Sequence, residues 1–181
     1  MAVVLAALAL ASCAPPVPET QRIQVSSTVR PDSSLPSQVL RQVNAYRATK
    51  GAVPLQRHSG LDRLAHEHCE YLRKHRGSFQ LSGKNVSHFG FEGRALAARE
   101  LYNMHNVSEN VAAATRPGKD KAGVLVSLWK GSKDHHKNMI DDWTHTGIGV
   151  VVDSDGTVFS TQLFSTVSMN QMSVRERFNR F

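Results

Sequence analysis

Apolar positions along the chain change their rhythm several times, and each rhythm predicts a different element. Met1 to Ala11, MAVVLAALALA, is apolar throughout. At about 7–15 residues such a run suits a secretory signal, and it is too short for a bilayer span of about 20 residues. From Ser37 the spacing becomes helical, with Val39, Leu40, Val43 and Tyr46 on one stripe and Gly51 placed to end the helix. A second stripe, Leu61, Leu64, Ala65, His68 and Leu72, predicts a helix that Ser59 would cap, with Asp62 three residues on, and that ends near Gly77. Residues 77–92 are rich in Gly, Ser and Asn and read as a long loop, the kind of segment that often carries function. Gly93 to Tyr102 reads as a short helix and Val107 to Ala114 as a strand or extended segment. Lys121 to Lys130 is a helix with Val124, Leu125, Leu128 and Trp129 expected inward, and Asp134 could cap a further helix from His135 to Asp141. The β-branched run Gly147 to Val152, the Ser154-Asp155-Gly156 turn and the stretch Thr157 to Thr166 predict a hairpin.

Composition narrows the class. The chain has 181 residues, and the 169 after residue 12 are enough for one domain with a real core. A formal charge of +7, from 22 basic and 15 acidic residues, favours anionic surroundings. The basic residues are scattered and lack interleaved aromatics, so they read as a solvated surface and no nucleic-acid partner is expected. Residues 13–34, with four Pro among Ser, Thr and Gln, read as a flexible tether, and residues 168–181 as a polar basic tail.

Leu10-Ala11-Ser12-Cys13, followed by Ala14-Pro15-Pro16, resembles a bacterial lipoprotein box, although no Lys or Arg precedes the apolar run. The resemblance implies cleavage of a 1–12 signal peptide, a palmitate-type lipid on Cys13 and a place in the cell envelope. The alternative is an ordinary signal with an incidental Cys. With Cys13 committed to lipid, Cys69 has no intramolecular partner and reads as a buried, inert thiol.

Four pieces then occur in order: Asn44-Ala45-Tyr46-Arg47 with Pro54-Leu55; His88; Glu109-Asn110-Val111-Ala112; and Trp129-Lys130-Gly131-Ser132-Lys133-Asp134-His135 with Asn138, Thr144 to Val150 and Gln162-Leu163-Phe164. The series resembles the CAP superfamily of cysteine-rich secretory proteins, antigen 5 and pathogenesis-related proteins, in its disulfide-free bacterial branch. It covers residues 35–167. The resemblance implies an α+β fold, a three-layer α-β-α sandwich with a small antiparallel sheet between helices, and a cleft with two histidines and acidic residues. His88 and His135 match the cleft histidines and Glu109 the first acid. Ser132 stands where the second acid is expected, so the set is incomplete.

Two imidazoles and a carboxylate could hold Zn²⁺ or another divalent metal with an open coordination position. His88, His135 and Glu109 are therefore candidate metal ligands and candidate catalytic residues. The plain alternative is a hydrogen-bonded cluster that turns nothing over. Ser132 reads better as a capping or turn serine than as a nucleophile. His66 and His68, two apart, point to different helix faces, and His68 shares the apolar stripe. His75 and His105 read as surface residues, His136 as facing away from His135, and His145 as a loop edge. The leading expectation is a membrane-tethered binding or scaffold module for a metal, a small lipid or an envelope polysaccharide. The other is a metal-dependent envelope hydrolase, peptidase or cell-wall-active.

Overall fold

The computed structural model describes residues 34–81 and 86–167. Cys13, the signal peptide, almost all of the tether and the basic tail lie outside these residues.

The first stripe forms α1, Ser34–Thr49, with Val39 and Val43 fully buried. A left-handed Gly51 at φ 74° follows its end, a conformation that glycine adopts without steric cost. Two side chains of α1 then hold the turn that follows. Asn44 pairs with the backbone of Leu55, accepting from its N–H at 2.9 Å and donating to its C=O at 3.1 Å. Arg47, buried, donates to the carbonyls of Val53, Met139 and Asp141. The Asn-Ala-Tyr-Arg piece is thus a structural clamp.

After the short strand β1, Gln56–Arg57, comes α2, Ser59–Lys74. Its cap differs from expectation. His58 is the N-cap, its ring accepting from the N–H of Leu61, and Ser59 is the first helical residue. The expected stripe of α2 is buried, Cys69 included. α3 spans Phe91–Tyr102, β2 spans Met104–Ala114 and α4 spans Lys121–Gly131. In α4 Leu125 and Trp129 are buried as expected, joined by Ala122 and Val126. Val124 is only half-buried and Leu128 lies 43% exposed, so the inward face is rotated from the one predicted. α5, Lys133–Ile140, has Ser132 rather than Asp134 at its N-cap position, and the serine side chain makes no capping bond. Ser132 is thus a turn residue between two helices. β3, His145–Val152, and β4, Val158–Val167, form the expected hairpin.

The four strands lie in the order β1-β3-β4-β2. β3, β4 and β2 pair antiparallel, and the two-residue β1 joins β3 in parallel, so the sheet is mixed at one edge. Alternation along the strands divides the core in two. Ala112, Ile148, Val150 and Phe164 pack with α1, α4 and Met139 of α5. Val111, Ala113, Val151, Phe159 and Leu163 lie on the opposite face among side chains of α2 and α3. The result is the three-layer α-β-α sandwich. α2 sits directly on the sheet because Gly147 and Gly149 present no side chain. A Cβ on Gly147 would strike the backbone of Leu61 and Asp62, and one on Gly149 the backbone of Ala65 and His66. Asp62 secures this contact by accepting from the N–H of Ile148 at 2.8 Å.

Candidate functional site

β2 is an edge strand, and the site gathers around its middle. Glu109 falls in the same alternation as Val111 and Ala113, so its carboxylate enters the α2–α3 side of the sheet. There it is buried, with a side chain only 2% exposed. Three hydrogen bonds converge on it. Arg94 of α3 donates from Nε to Oε2 at 2.7 Å and from Nη2 to Oε1 at 2.9 Å, a bidentate pair. His88 places Nδ1 2.9 Å from Oε1. Burial alone would raise the Glu109 pKa, but the His88 and Arg94 hydrogen bonds and the Arg94 charge outweigh it and hold the carboxyl below its ordinary value. An ionised Glu109 accepts from His88 Nδ1–H, which leaves Nε2 as the free nitrogen of that ring.

A third histidine also reaches this carboxylate. His68 Nδ1 lies 3.7 Å from Oε2 and shares a hydrogen bond of 3.0 Å with Thr161 Oγ1 on β4. Burial, reinforced by the charges of Arg94 and His88 and only partly opposed by Glu109, lowers its pKa to about 4. His68 is therefore neutral at pH 7. With Glu109 against Arg94, the buried part of the cluster carries no net charge.

On the other side of β2, the first turn of α5 brings up His135. Its ring centre is 6.1 Å from that of His88, with the planes at 51°. Burial first, and then the neighbouring His88, lowers its pKa. Two asparagines fasten α5 to the strand edge. Asn110 donates to the carbonyl of His135 at 3.0 Å, while Asn138 donates to the carbonyl of Glu109 at 3.2 Å and to Asn110 Oδ1 at 3.0 Å. These bonds occupy part of an edge that would otherwise be open for pairing. Trp143 supports the arrangement from beneath, donating to the carbonyl of Asn138 at 2.9 Å and packing on Phe164.

All three predicted residues, His88, Glu109 and His135, thus come together. Two partners were missed. Arg94 had no signal in the pattern beyond its place on a short helix. His68 was placed correctly in the buried stripe, but nothing in the chain paired it with Glu109. Ser132 is half-buried at the α4–α5 turn. The other histidines divide. His75 is exposed, whereas His105 is half-buried beside Asn103 rather than fully at the surface. His136 turns toward Tyr46, with Nε2 and the phenol oxygen 2.9 Å apart, and His145 opens β3.

The donor set falls short of a catalytic zinc site, which takes three protein ligands. Both oxygens of Glu109 are already engaged by Arg94, itself a cation. Among the described residues no group of three His, Cys, Asp or Glu side chains is arranged to hold a metal ion. What remains is a pair of ligating or hydrogen-bonding imidazoles beside a fixed anion.

The family model described as the cysteine-rich secretory protein family, CAP, matches residues 40–164. The chain belongs to that family. No curated protein sequence matches it. Among solved structures, an outer surface protein from Borrelia burgdorferi shares the CAP fold at a TM-score of 0.60 and 16% identity, covering 75% of this chain and 95% of that one. A cysteine-rich secretory protein from Staphylococcus aureus follows at 0.52 and 19%, covering 75% of this chain and 40% of its own. An extracellular protein containing an SCP domain from Bacillus anthracis gives 0.53 and 22%, covering 74% and 40%. At these identities the likeness concerns the fold. The CAP match contains His88, Glu109 and His135, and also Arg94 and His68.

Proposed function

We propose that this CAP-domain protein is an exported binding module of the cell envelope, anchored by a lipid on Cys13, and that its cleft recognises an envelope component through His88 and His135. The observation that carries this reading is the state of Glu109. A general base needs a free lone pair and a pKa near the working pH. Glu109 has its oxygens engaged by Arg94 and His88 and its pKa pushed the other way. It serves as a fixed anion that sets the His88 tautomer, a role suited to recognition. The structural neighbours, an outer surface protein and two described as secretory or extracellular, support export. Among the described residues no helix is long and apolar enough to cross a membrane.

The test is co-sedimentation with purified envelope material of the chain carrying Cys13→Ala, which removes the lipid site, with the cleft wild type against the His88→Ala/His135→Ala double variant. Retention by wild type and loss in the variant is expected; equal sedimentation of both would refute the reading.

A second reading has its own observation. Two imidazole rings 6.1 Å apart, one with Nε2 free, could hold a divalent ion such as Zn²⁺ reversibly. It is also the starting point for the metal-dependent envelope hydrolase. Calorimetric titration with Zn²⁺ decides the metal: wild type should bind and the double variant should not. Metal-dependent turnover of peptide, ester or muramyl substrates, abolished in the double variant, would favour the hydrolase.

A further inference from the structure

Two lysines from different helices converge on one ring. Lys130, in the last turn of α4, places its ammonium 4.6 Å from the centre of the Tyr46 ring. Lys50, the residue after α1, places its own at 5.5 Å. The two charges are therefore within about 10 Å of each other. The attraction of a cation for an aromatic face accounts for either lysine alone. It does not account for a second cation at the same ring with no counter-charge. Among the described residues neither ammonium pairs with a carboxylate, and neither bonds a carbonyl as Lys121 does that of Gly118. Both lysines are exposed, so an anion from solution can reach them.

The pair is also held ready. A surface lysine ordinarily loses much rotamer freedom when it grips a ligand. Here the Tyr46 ring holds both side chains, and the ring is itself fixed. Its hydroxyl lies 2.9 Å from His136 Nε2, and the two rings meet edge to face with centres 5.8 Å apart. Ordering of this kind lowers the cost of binding. Beside the pair a groove of about 810 Å³ runs between α1 and α4, lined in part by Tyr46 and Lys130. Gln42, Thr49 and Ser127 give it polar side chains, of which Thr49 and Ser127 are exposed. Lysine takes a phosphate as a compact point charge, whereas planar two-oxygen recognition of a carboxylate is the geometry of arginine. Two ammonium groups beside a polar groove therefore suit a phosphate that carries a small polar organic group.

We infer that Lys50 and Lys130, held over Tyr46, bind the phosphate of a phosphate ester, whose organic part enters the α1–α4 groove. The site does not involve His88 or His135 and does not rest on the binding-module reading. The probe is glycerol 1-phosphate, titrated at constant ionic strength into the full chain carrying Cys13→Ala, so that no lipid anchor contributes. NMR signals of the lysine ε-methylenes and the Tyr46 ring report binding. Saturable shifts at Lys50, Lys130 and Tyr46 are expected, and Lys50→Gln/Lys130→Gln should weaken binding about ten-fold. Lys74→Gln/Lys119→Gln removes the same charge from exposed lysines away from the ring and should leave the affinity unchanged. Shifts that do not saturate, or a loss in the Lys74/Lys119 variant equal to that in the Lys50/Lys130 variant, would overturn the inference, since net charge alone would then explain the binding. Flotation with vesicles of phosphatidylcholine, with and without phosphatidylglycerol, identifies the source of the phosphate. Flotation only with the anionic vesicles, lost in Lys50→Gln/Lys130→Gln, assigns the site to a lipid headgroup. Saturable glycerol 1-phosphate binding without flotation assigns it to a soluble ester.

Discussion

Replacing Arg94 by Met tests the central electrostatic claim. The side chains of Arg94 and Glu109 are 12% and 2% exposed, and they meet through two bonds of 2.7 and 2.9 Å. Met keeps much of the aliphatic volume and removes the charge. Glu109 would then be a buried carboxylate held by His88 alone, with His68 neutral nearby. Breaking a buried pair by removing one partner costs about 3–5 kcal/mol, because the remaining charge is left uncompensated. An exposed pair would cost about 0–1 kcal/mol. Urea unfolding at pH 7, followed by tryptophan fluorescence, separates these ranges. Arg94→Met should lose at least about 3 kcal/mol with an unchanged dependence on urea concentration. Adding Glu109→Gln should restore part of that loss, since the second change removes the stranded charge. The acid limb gives a further check. With its pKa depressed in the fold, Glu109 contributes stability that is present above its ordinary value of 4.5 and lost as pH falls through the folded value. That contribution should vanish in Arg94→Met. A loss below about 1 kcal/mol, or a double variant less stable by the sum of the two single losses, would refute the reasoning.

Further outcomes follow from the same packing. His68 stays neutral in the fold down to about 4 but titrates near 6.5 when unfolded, so the unfolded chain takes up its proton first. Stability from this group is therefore full above pH 6.5 and falls by about 3 kcal/mol toward pH 4, a slope that urea titrations should find in wild type and miss in His68→Gln. Gly147→Ala should cost about 1–3 kcal/mol or more by thermal melting, because its Cβ meets the α2 backbone, whereas Gly93→Ala, with open space around it, should be neutral or stabilising. Arg47→Met would leave the carbonyls of Val53, Met139 and Asp141 without their donor and should lose at least about 3 kcal/mol in the urea assay. Cys69, fully buried and with its thiol pushed up by burial to about 12, should react with a thiol reagent only as fast as the protein unfolds.

Most of the elements were legible from period alone. The stripe through Leu61, Leu64, Ala65, His68 and Leu72 is the buried face of α2, because a 3.6-residue repeat admits one inward side. The β-branched run around Asp155-Gly156 is the central hairpin. The errors lie where local chemistry has two solutions of similar cost. His58 caps α2 in place of Ser59, and the inward face of α4 takes Val126 in place of Leu128, since packing against β2 and α1 sets its rotation.

The site divides along the same line. His88, Glu109 and His135 could be singled out by their order among the other CAP pieces, and alternation puts Glu109 on the face of Val111 and Ala113. What the chain could not show is the partner of that carboxylate. Arg94 lies 15 positions from Glu109 and His68 lies 41. Neither separation matches a period of any element. Their meeting depends on how α2 and α3 seat on the sheet, which Gly147 and Gly149 govern on another strand. By itself the sequence determined which residues could do chemistry. The tertiary structure decided that Glu109 is already spent on an arginine, because only the seated helices bring that charge within hydrogen-bonding distance.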